Sequence, residues 1–236
     1  MSYELIILLT TTVSIGFFHT LFGPDHYLPF IVLSKARNWS LRKTTLVTVL
    51  CGAGHVLSSV LLGLVGIALG VAVTRLESVE SLRGNLAAWA LIAFGLVYFV
   101  WGIRRAFRNK EHKHHHAHHN GADHIHTHNH TRDHVHIHEE KNQNVTPWIL
   151  FTIFLFGPCE PLIPLLMYPT AKESSLGLVM VALVFGAVTI MTMLGVVLIL
   201  TMDIIHLPRT KLEKYSHALA GAAICVCGLA IQFLGL

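Results

Sequence analysis

Long apolar runs separated by short polar stretches divide the chain into six segments. A helix needs about 20 largely apolar residues to cross a bilayer, and each of the six runs approaches or exceeds that length. The predicted spans are residues 5–34, 44–73, 85–101, 147–169, 176–202 and 215–236. The pattern therefore predicts an all-α integral membrane protein with six transmembrane helices.

Two of the predicted spans contain a Gly-Pro pair in their interior. Gly23-Pro24 interrupts the first span and Gly157-Pro158 interrupts the fourth. Proline removes a helix hydrogen bond and clashes with the preceding turn. In a membrane such a break persists only where protein or a water-lined cavity satisfies the freed backbone groups. We therefore expect each break to lie beside a polar site.

The two breaks belong to an internal repeat. Residues 21–26 align with residues 155–160 at an offset of 134. Further matched glycines, at offsets of 134 and 133, are Gly52 with Gly186 and Gly95 with Gly228. Each copy would cross the membrane three times, so the second copy must be inverted. Such 3+3 inverted repeats, with broken helices in matching positions, are typical of secondary transporters, whose substrate site lies near the midplane.

The repeat gives a three-part organisation. Residues 1–104 form the first three-helix repeat, residues 147–236 form the second, and residues 105–146 connect them. The connecting segment holds thirteen of the eighteen histidines, most of them between 112 and 138. This composition cannot build a packed core and predicts a disordered loop. Many largely neutral imidazoles on one tether predict capture or sensing of transition metals.

Composition supports the membrane assignment and excludes several functions. Of the 236 residues, 53% are hydrophobic and only 13% are charged, against about 25% charged in soluble domains. The mean hydropathy is +0.59. No basic stripe with interleaved aromatics predicts nucleic-acid binding. No nucleophile triad, phosphate loop or cofactor motif is present, so we predict neither an enzyme nor a bound cofactor.

Lys and Arg residues are concentrated in the first, third and fifth loops of the predicted topology. Cytoplasmic loops carry such an excess. We therefore expect a bacterial-type cytoplasmic (inner) membrane protein with both termini outward and the His-rich loop in the cytoplasm.

A few ionisable or soft side chains interrupt the apolar spans. A charge at the bilayer centre costs about 2.5 to 3.5 kcal/mol even on insertion scales, so these residues are candidates for a functional site. They are His19, Asp25, His26, His55, Cys159 and Glu160. His19 and His26 are seven residues apart, which places them on one helical face if the segment stays helical. Imidazole and carboxylate suit Ni²⁺, Co²⁺ and Zn²⁺, and a thiolate adds softness.

The first half of the chain resembles the nickel/cobalt transporter group, which includes His-rich-loop efflux proteins and UreH-like membrane proteins. The resemblance is carried by His19 with Asp25-His26, and by Gly54-His55. Five residues separate His19 from Asp25, where the group has four. The resemblance implies transport of a nickel or cobalt ion.

The second half is similar to the membrane thiol carriers of cytochrome c biogenesis, the CcdA/DsbD group. Gly157-Pro158-Cys159 and the prolines that follow it carry this resemblance, which implies a shared inverted-repeat scaffold. Those carriers use one cysteine in the first helix of each repeat. Here Asp25 stands at the position aligned with Cys159, so the resemblance implies a site changed from a dithiol to metal ligands.

Three functions follow as hypotheses. The leading one is a secondary transporter of a divalent transition metal, for which export is favoured over import. Asp25, His26 and Glu160 would be the central ligands. His19 and His55 would line the path, and Cys159 would be an optional soft ligand. The second is a thiol-disulfide electron carrier using Cys159 with Cys51, and the third is an exporter of a sulfur oxyanion. The expected partners are metal ions and the lipid bilayer, with a homodimer left open.

Overall fold

The computed structural model describes residues 3–108, 112–116, 124–128, 145–171, 175–206 and 211–234. The α-helices in this part of the chain are α1 (Tyr3–Phe22), α2 (Leu28–Ala36), α3 (Leu41–Ala68), α4 (Val73–Arg108), α5 (Thr146–Phe156), α6 (Leu162–Ala171), α7 (Ser175–His206) and α8 (Ser216–Leu234). Short 3-10 helices at Pro24–His26 and Lys211–Tyr215 precede α2 and α8. Two short strands, β1 (His112–His116) and β2 (His124–His128), follow α4.

Five helices, α1, α3, α4, α7 and α8, are long and apolar enough to cross a membrane. Only 22% to 39% of each such span is buried inside the protein, so most of its apolar side chains face outward. Exposing apolar area to water costs about 25 cal/mol per Å², whereas lipid accepts it. The predicted class, an all-helical multi-pass membrane protein, is confirmed.

The first and fourth predicted spans are each divided between two helices. The first becomes α1 and α2, separated by residues 23–27, which we call the first break. The fourth becomes α5 and α6, separated by residues 157–161, the second break. Helices α5 and α6 have 11 and 10 residues, and neither is long enough to cross a bilayer alone. Among the described residues, five single helices rather than six therefore meet the length requirement.

Helix α4 is much longer than its predicted span of 85–101. It begins at Val73 and continues to Arg108, so it includes residues 105–108 of the predicted loop. The early part looks too polar for a membrane helix, but Glu80 and Arg83 form an ion pair one turn apart, with Nη1 and Oε1 separated by 2.7 Å. Pairing at this helical spacing allows a charged stretch to remain helical.

The backbone of the His-rich segment is described only at β1 and β2. These strands pair in antiparallel register, with His112 opposite His128, His114 opposite His126 and His116 opposite His124. The rest of the predicted loop, apart from residues 105–108 and Val145–Thr146, lies outside the described residues.

Helices α4 and α8 pack with their backbones in close approach. A Cβ atom added at Gly95 would collide with the backbone nitrogen of Cys225, and one added at Gly228 would lie 2.9 Å from the backbone nitrogen of Ile92. Close approach of backbones at small residues is a common way for membrane helices to associate, because lipid supplies no hydrophobic driving force between them.

Buried apolar side chains form two clusters. The first joins α2, α5 and α7 through Phe30, Phe154 and Met193. The second joins α6 and α7 through Leu162 and Phe185. Polar side chains from the first break and from α3 lie between the two clusters.

Candidate metal centre

The first break turns the chain back on the end of α1. Helix α1 ends at Phe22 because proline at position 24 cannot continue its hydrogen bonds. A 3-10 turn follows at Pro24–His26. The Gly23 amide donates to the His19 carbonyl at 3.1 Å and the Tyr27 hydroxyl donates to the Leu21 carbonyl at 3.3 Å. The backbone groups freed at this break are therefore satisfied largely within the segment itself.

Gly23 leaves the space that this turn needs. A Cβ atom at position 23 would lie 2.5 Å from Nδ1 of His26 and 2.9 Å from Oδ1 of Asp25. No real Cβ atom tolerates such contacts, so a larger residue would displace the two side chains. Glycine is required here for space, because its φ of −85° is open to any residue.

His55 reaches the same place from the middle of α3. It is 14 residues from the start of a 28-residue helix, about 20 Å along the axis from either end at 1.5 Å per residue. Its side chain is buried, and its ring centroid lies 5.1 Å from that of His26. The imidazole is therefore held near the middle of a membrane-spanning helix.

Three imidazoles converge at this point. One ring nitrogen from each of His19, His26 and His55 lies within 4.8 Å of the others. The His19 and His26 ring centroids are 4.9 Å apart. The segment does not stay helical between these two histidines, so they do not share one helical face, and the 3-10 turn brings the rings together instead.

Buried ring nitrogens of this cluster have no hydrogen-bond partner within the described residues. They are Nε2 of His26 and both ring nitrogens of His55. Buried polar atoms in native proteins are nearly always hydrogen-bonded, and leaving one unpaired costs about 1 to 3 kcal/mol. A bound cation would remove this cost, since neutral imidazole nitrogen is a common metal ligand. The donor set fits a divalent transition metal.

Asp25 orients one of the three imidazoles. Its Oδ1 lies 3.1 Å from Nδ1 of His26, and the Gly23 carbonyl oxygen lies 3.1 Å from the same nitrogen. With Nδ1 as the donor, Nε2 keeps its lone pair for a cation, as in carboxylate-histidine-metal arrangements. The Asp25 side chain remains 24% exposed, so its carboxylate also reaches the adjoining cavity.

Cys159 and Glu160 occupy different places from those expected of central ligands. Cys159 is wholly buried, and its Sγ lies 4.0 Å from Nε2 of His19. Glu160 is exposed on the cavity wall and is not part of the three-histidine cluster. The break directs these neighbouring side chains to opposite sides of the chain. The structure therefore brings together His19, His26 and His55, with Asp25 against His26 and Cys159 against His19.

A cavity of about 790 Å³ adjoins the cluster. It lies between α1, the first half of α4, the second break and the end of α8. Its polar lining includes Asp25, Asn85, Glu160 and Gln232, and Gln232 donates to Asn85 at 3.2 Å. The volume is far larger than one ion requires, so it can hold a hydrated ion on its way to the imidazoles.

Sequence reasoning missed two residues of the site, Glu80 and Arg83. Both fell outside the predicted third span and looked like loop residues. Glu80 is fully buried and the Arg83 side chain is 15% exposed. The signal that could have found them is their i, i+3 spacing of opposite charges next to an apolar run.

The four cysteines are all free. Cys51 belongs to the first apolar cluster and Cys159 to the second. Cys225 and Cys227 lie together on α8. The cysteine pair that the thiol-carrier hypothesis requires is therefore divided between the two clusters.

Fold and site together define a polytopic, all-helical membrane protein with a polar site where its helices are interrupted. The family described as cytochrome c biogenesis protein transmembrane region matches residues 28–230. Because this covers most of the chain, the protein belongs to that family, and the predicted likeness to the scaffold of the thiol carriers is confirmed. The match begins after His26, so it includes His55 and Cys159 but not the first break. No curated protein and no solved structure matches.

Proposed function

We propose that the protein is a secondary transporter of a divalent transition-metal ion, with Ni²⁺ or Co²⁺ first and Zn²⁺ next. His19, His26 and His55 bind the ion, and Asp25 orients His26 and contributes negative charge beside the site. The observation that carries the proposal is the convergence of three imidazole nitrogens within 4.8 Å of one another. The ion is the cargo, and no resident cofactor is required.

The buried position of the cluster supports binding of an ion during transport. Polar groups inside a membrane are costly and mark ion pathways or proton relays. Each neutral imidazole has one ring nitrogen with a free lone pair, and a divalent cation can accept a lone pair from all three. Coordination positions not filled by histidine can hold water or a transient ligand, which suits an ion that must leave again.

An inverted repeat is the second part of the proposal, and matched packing contacts support it. A Cβ atom at Gly52 would approach Ile190 at 3.3 Å, and one at Gly186 would approach Val56 at 3.2 Å. The offset of 134 relates Gly52 to Gly186 and Val56 to Ile190, so each contact becomes the other when the two repeats are exchanged. The Gly95–Cys225 and Gly228–Ile92 contacts between α4 and α8 are related in the same way by 133. Such reciprocal contacts are expected of two halves related by a pseudo-two-fold axis.

The cavity gives the ion a path on one side of the cluster. It follows α4 from Ser81 to Leu91, mostly in the first half of that helix, and α8 near its end, at Gln232. Helix α4 ends at Arg108, before the His-rich segment. The cavity therefore lies toward the end of α4 that is farther from that segment. With the His-rich segment in the cytoplasm, this conformation would release ions outward, in keeping with export.

The His-rich segment would collect ions for the transporter. The segment holds thirteen of the eighteen histidines. Imidazole is a ligand that suits borderline divalent ions, and this composition supports the capture of such ions.

Transport is tested by reconstituting the full chain in vesicles that contain a Ni²⁺-sensitive dye. The thirteen histidines of the His-rich segment are replaced by serine, so that the signal reports the central site. We expect His26→Ala and His55→Ala to abolish Ni²⁺ flux. His217→Ala is the matched control, because His217 lies at the start of α8 against Tyr98 and should leave flux unchanged. Equal flux in all variants would contradict the proposal.

Family membership favours a second candidate, a membrane thiol-disulfide carrier of the cytochrome c biogenesis type, over metal transport. Cys159 lies at the second break, as such a carrier would require. Exchange needs a second thiol within disulfide reach, with Cα atoms about 4.4 to 6.8 Å apart, and Cys51 is the candidate partner. A Cys51→Ala, Cys159→Ala protein that still supports reduction of an external disulfide to two thiols would exclude this function. Loss of that activity with Ni²⁺ flux intact would establish it as separate from transport.

A further inference from the structure

A buried ion pair on α4 holds the second break in place. Glu80 is fully buried, and its Oε2 accepts the Cys159 amide at 3.2 Å. Its Oε1 accepts from Nη1 of Arg83 at 2.7 Å. Nη2 of Arg83 donates to the Leu155 carbonyl at 2.8 Å. The pair thus satisfies one freed backbone group on each side of Gly157-Pro158.

The same ion pair reaches the histidine cluster through α3. Nη2 of Arg83 also donates to the Ser58 hydroxyl at 2.8 Å, and that hydroxyl donates to the His55 carbonyl at 2.8 Å. The second break also approaches the His55 ring, because a Cβ atom at Gly157 would lie 3.0 Å from Nδ1. Arg83 thus contacts both Ser58, which is bonded to the His55 backbone, and Leu155, next to the break that packs against the His55 ring.

The two breaks differ in this respect. The first break satisfies its backbone with its own residues, notably Tyr27 and His26. The second break depends on α4, which also packs tightly against it, because a Cβ atom at Gly84 would lie 2.8 Å from Cγ of Pro158. A buried ion pair gains little net stability over an apolar replacement, so stability alone gives a weak reason for its presence.

We infer that Glu80 and Arg83 are positioning residues that fix the conformation of the second break. They thereby hold Cys159 in contact with His19, and Gly157 in contact with His55. The inference rests on the proposed function for the identity of the ion, but the placement of Cys159 can be measured without any ion. The guanidinium fork is essential to this role, since one head group must reach Glu80, Ser58 and Leu155 at once. A lysine ammonium keeps the charge but lacks that planar fork.

The test uses the full chain with Cys51, Cys225 and Cys227 replaced by alanine and the thirteen loop histidines replaced by serine. Two quantities are measured: the rate at which a membrane-permeant maleimide alkylates Cys159, and the affinity for Ni²⁺. The variants are Glu80→Gln, Arg83→Gln and Arg83→Lys. The matched controls are Glu77→Gln and Arg75→Gln, which change exposed residues of the same type on the same helix.

We expect Arg83→Gln and Arg83→Lys each to speed alkylation of Cys159 several-fold and to weaken Ni²⁺ binding about tenfold, the lower end of the effect of losing a partner that orients a ligand. Glu80→Gln should do the same, and the controls should match the parent. Arg83→Lys guards against misfolding, because it still neutralises Glu80. An Arg83→Lys protein with the Cys159 alkylation rate and the Ni²⁺ affinity of the parent would overturn the inference. If the parent binds no Ni²⁺, the proposed function fails, and the alkylation rates still decide whether the pair positions the break.

Discussion

Single side chains at the first break determine whether a cation can be bound. His26 can offer Nε2 to an ion only if its Nδ1 carries the proton, and both neighbours of Nδ1 are acceptors, the Asp25 carboxylate and the Gly23 carbonyl oxygen. The tautomer is thus set by the chain before an ion arrives. This preorganisation is what distinguishes the cluster from three buried histidines that merely pack.

Replacing Asp25 with asparagine tests that preorganisation. The amide can present its NH₂ group to Nδ1 and so favour the wrong tautomer, and it removes a negative charge beside the ion. We expect Ni²⁺ affinity to fall about 10- to 100-fold, measured by isothermal titration on protein lacking the loop histidines. Asp203→Asn, at an exposed site on α7, serves as the control. An unchanged Ni²⁺ affinity in Asp25→Asn would show that Asp25 does not contribute to binding of the ion.

Gly23→Ala tests the space beneath the same two side chains. The new Cβ would meet Nδ1 of His26 at 2.5 Å, so His26 must move away from the cluster. We expect loss of most Ni²⁺ binding with only a small change in the thermal unfolding temperature. Binding equal to that of the parent would show that His26 is not held as described.

The residue types of the site could be predicted from sequence, but their arrangement could not. His19, Asp25, His26 and His55 stand out because polar groups are rare in apolar spans. Glu160 stands out for the same reason, yet the second break exposes it on the cavity wall, and nothing in the local pattern reveals the direction of that turn. Glu80 and Arg83 were not predicted as site residues, because charged residues beside a span are typical of a loop. Their ion pair becomes visible only in the structure.

At the scale of elements, the interrupted helices bring polar side chains together at the first break. Each Gly-Pro pair lies directly after the end of a helix, at Phe22 and at Phe156, because the loss of a helix hydrogen bond at proline is a local effect. The lengths of the helices on either side of each break could not be predicted in this way. The 3-10 turn that brings His26 back to His19 packs against α8, which lies far away in sequence.

The packing of α4 against α8 gives a prediction about the repeat. Alanine at Gly95 or at Gly228 would force the two helices apart, because the obstructing atoms belong to backbone. Overpacking of this kind costs about 1 to 3 kcal/mol, and an inverted repeat predicts similar losses at both positions. Thermal unfolding in detergent measures them, with Gly195→Ala as the control, since a Cβ there meets nothing within 4 Å. A large loss at one position alone would argue against the repeat.

At the scale of the molecule, a scaffold of the cytochrome c biogenesis family is combined with a set of imidazoles at its first break. Family membership covers the scaffold and the second break, where Cys159 lies. Two of the three imidazoles, those of His19 on α1 and His26 in the first break, lie outside that match. We therefore expect the architecture to be shared with the family, and the proposed choice of cargo to depend on these two residues.

The His-rich segment and the central cluster should bind ions independently. Replacing the thirteen loop histidines with serine is expected to reduce the number of Ni²⁺ ions bound per chain to one, while that last site keeps its affinity. Elemental analysis after equilibrium dialysis measures both quantities. If the protein binds no Ni²⁺ after this replacement, the loop histidines alone account for metal binding.

The most direct test of the central claim is X-ray absorption spectroscopy on the full chain with these loop histidines replaced and one equivalent of Ni²⁺ added. We expect an ordered shell of nickel ligands with the scattering pattern of three imidazoles. In His55→Ala the pattern should be that of two imidazoles. A nickel spectrum without imidazole scattering, or one that is identical in His55→Ala, would contradict it.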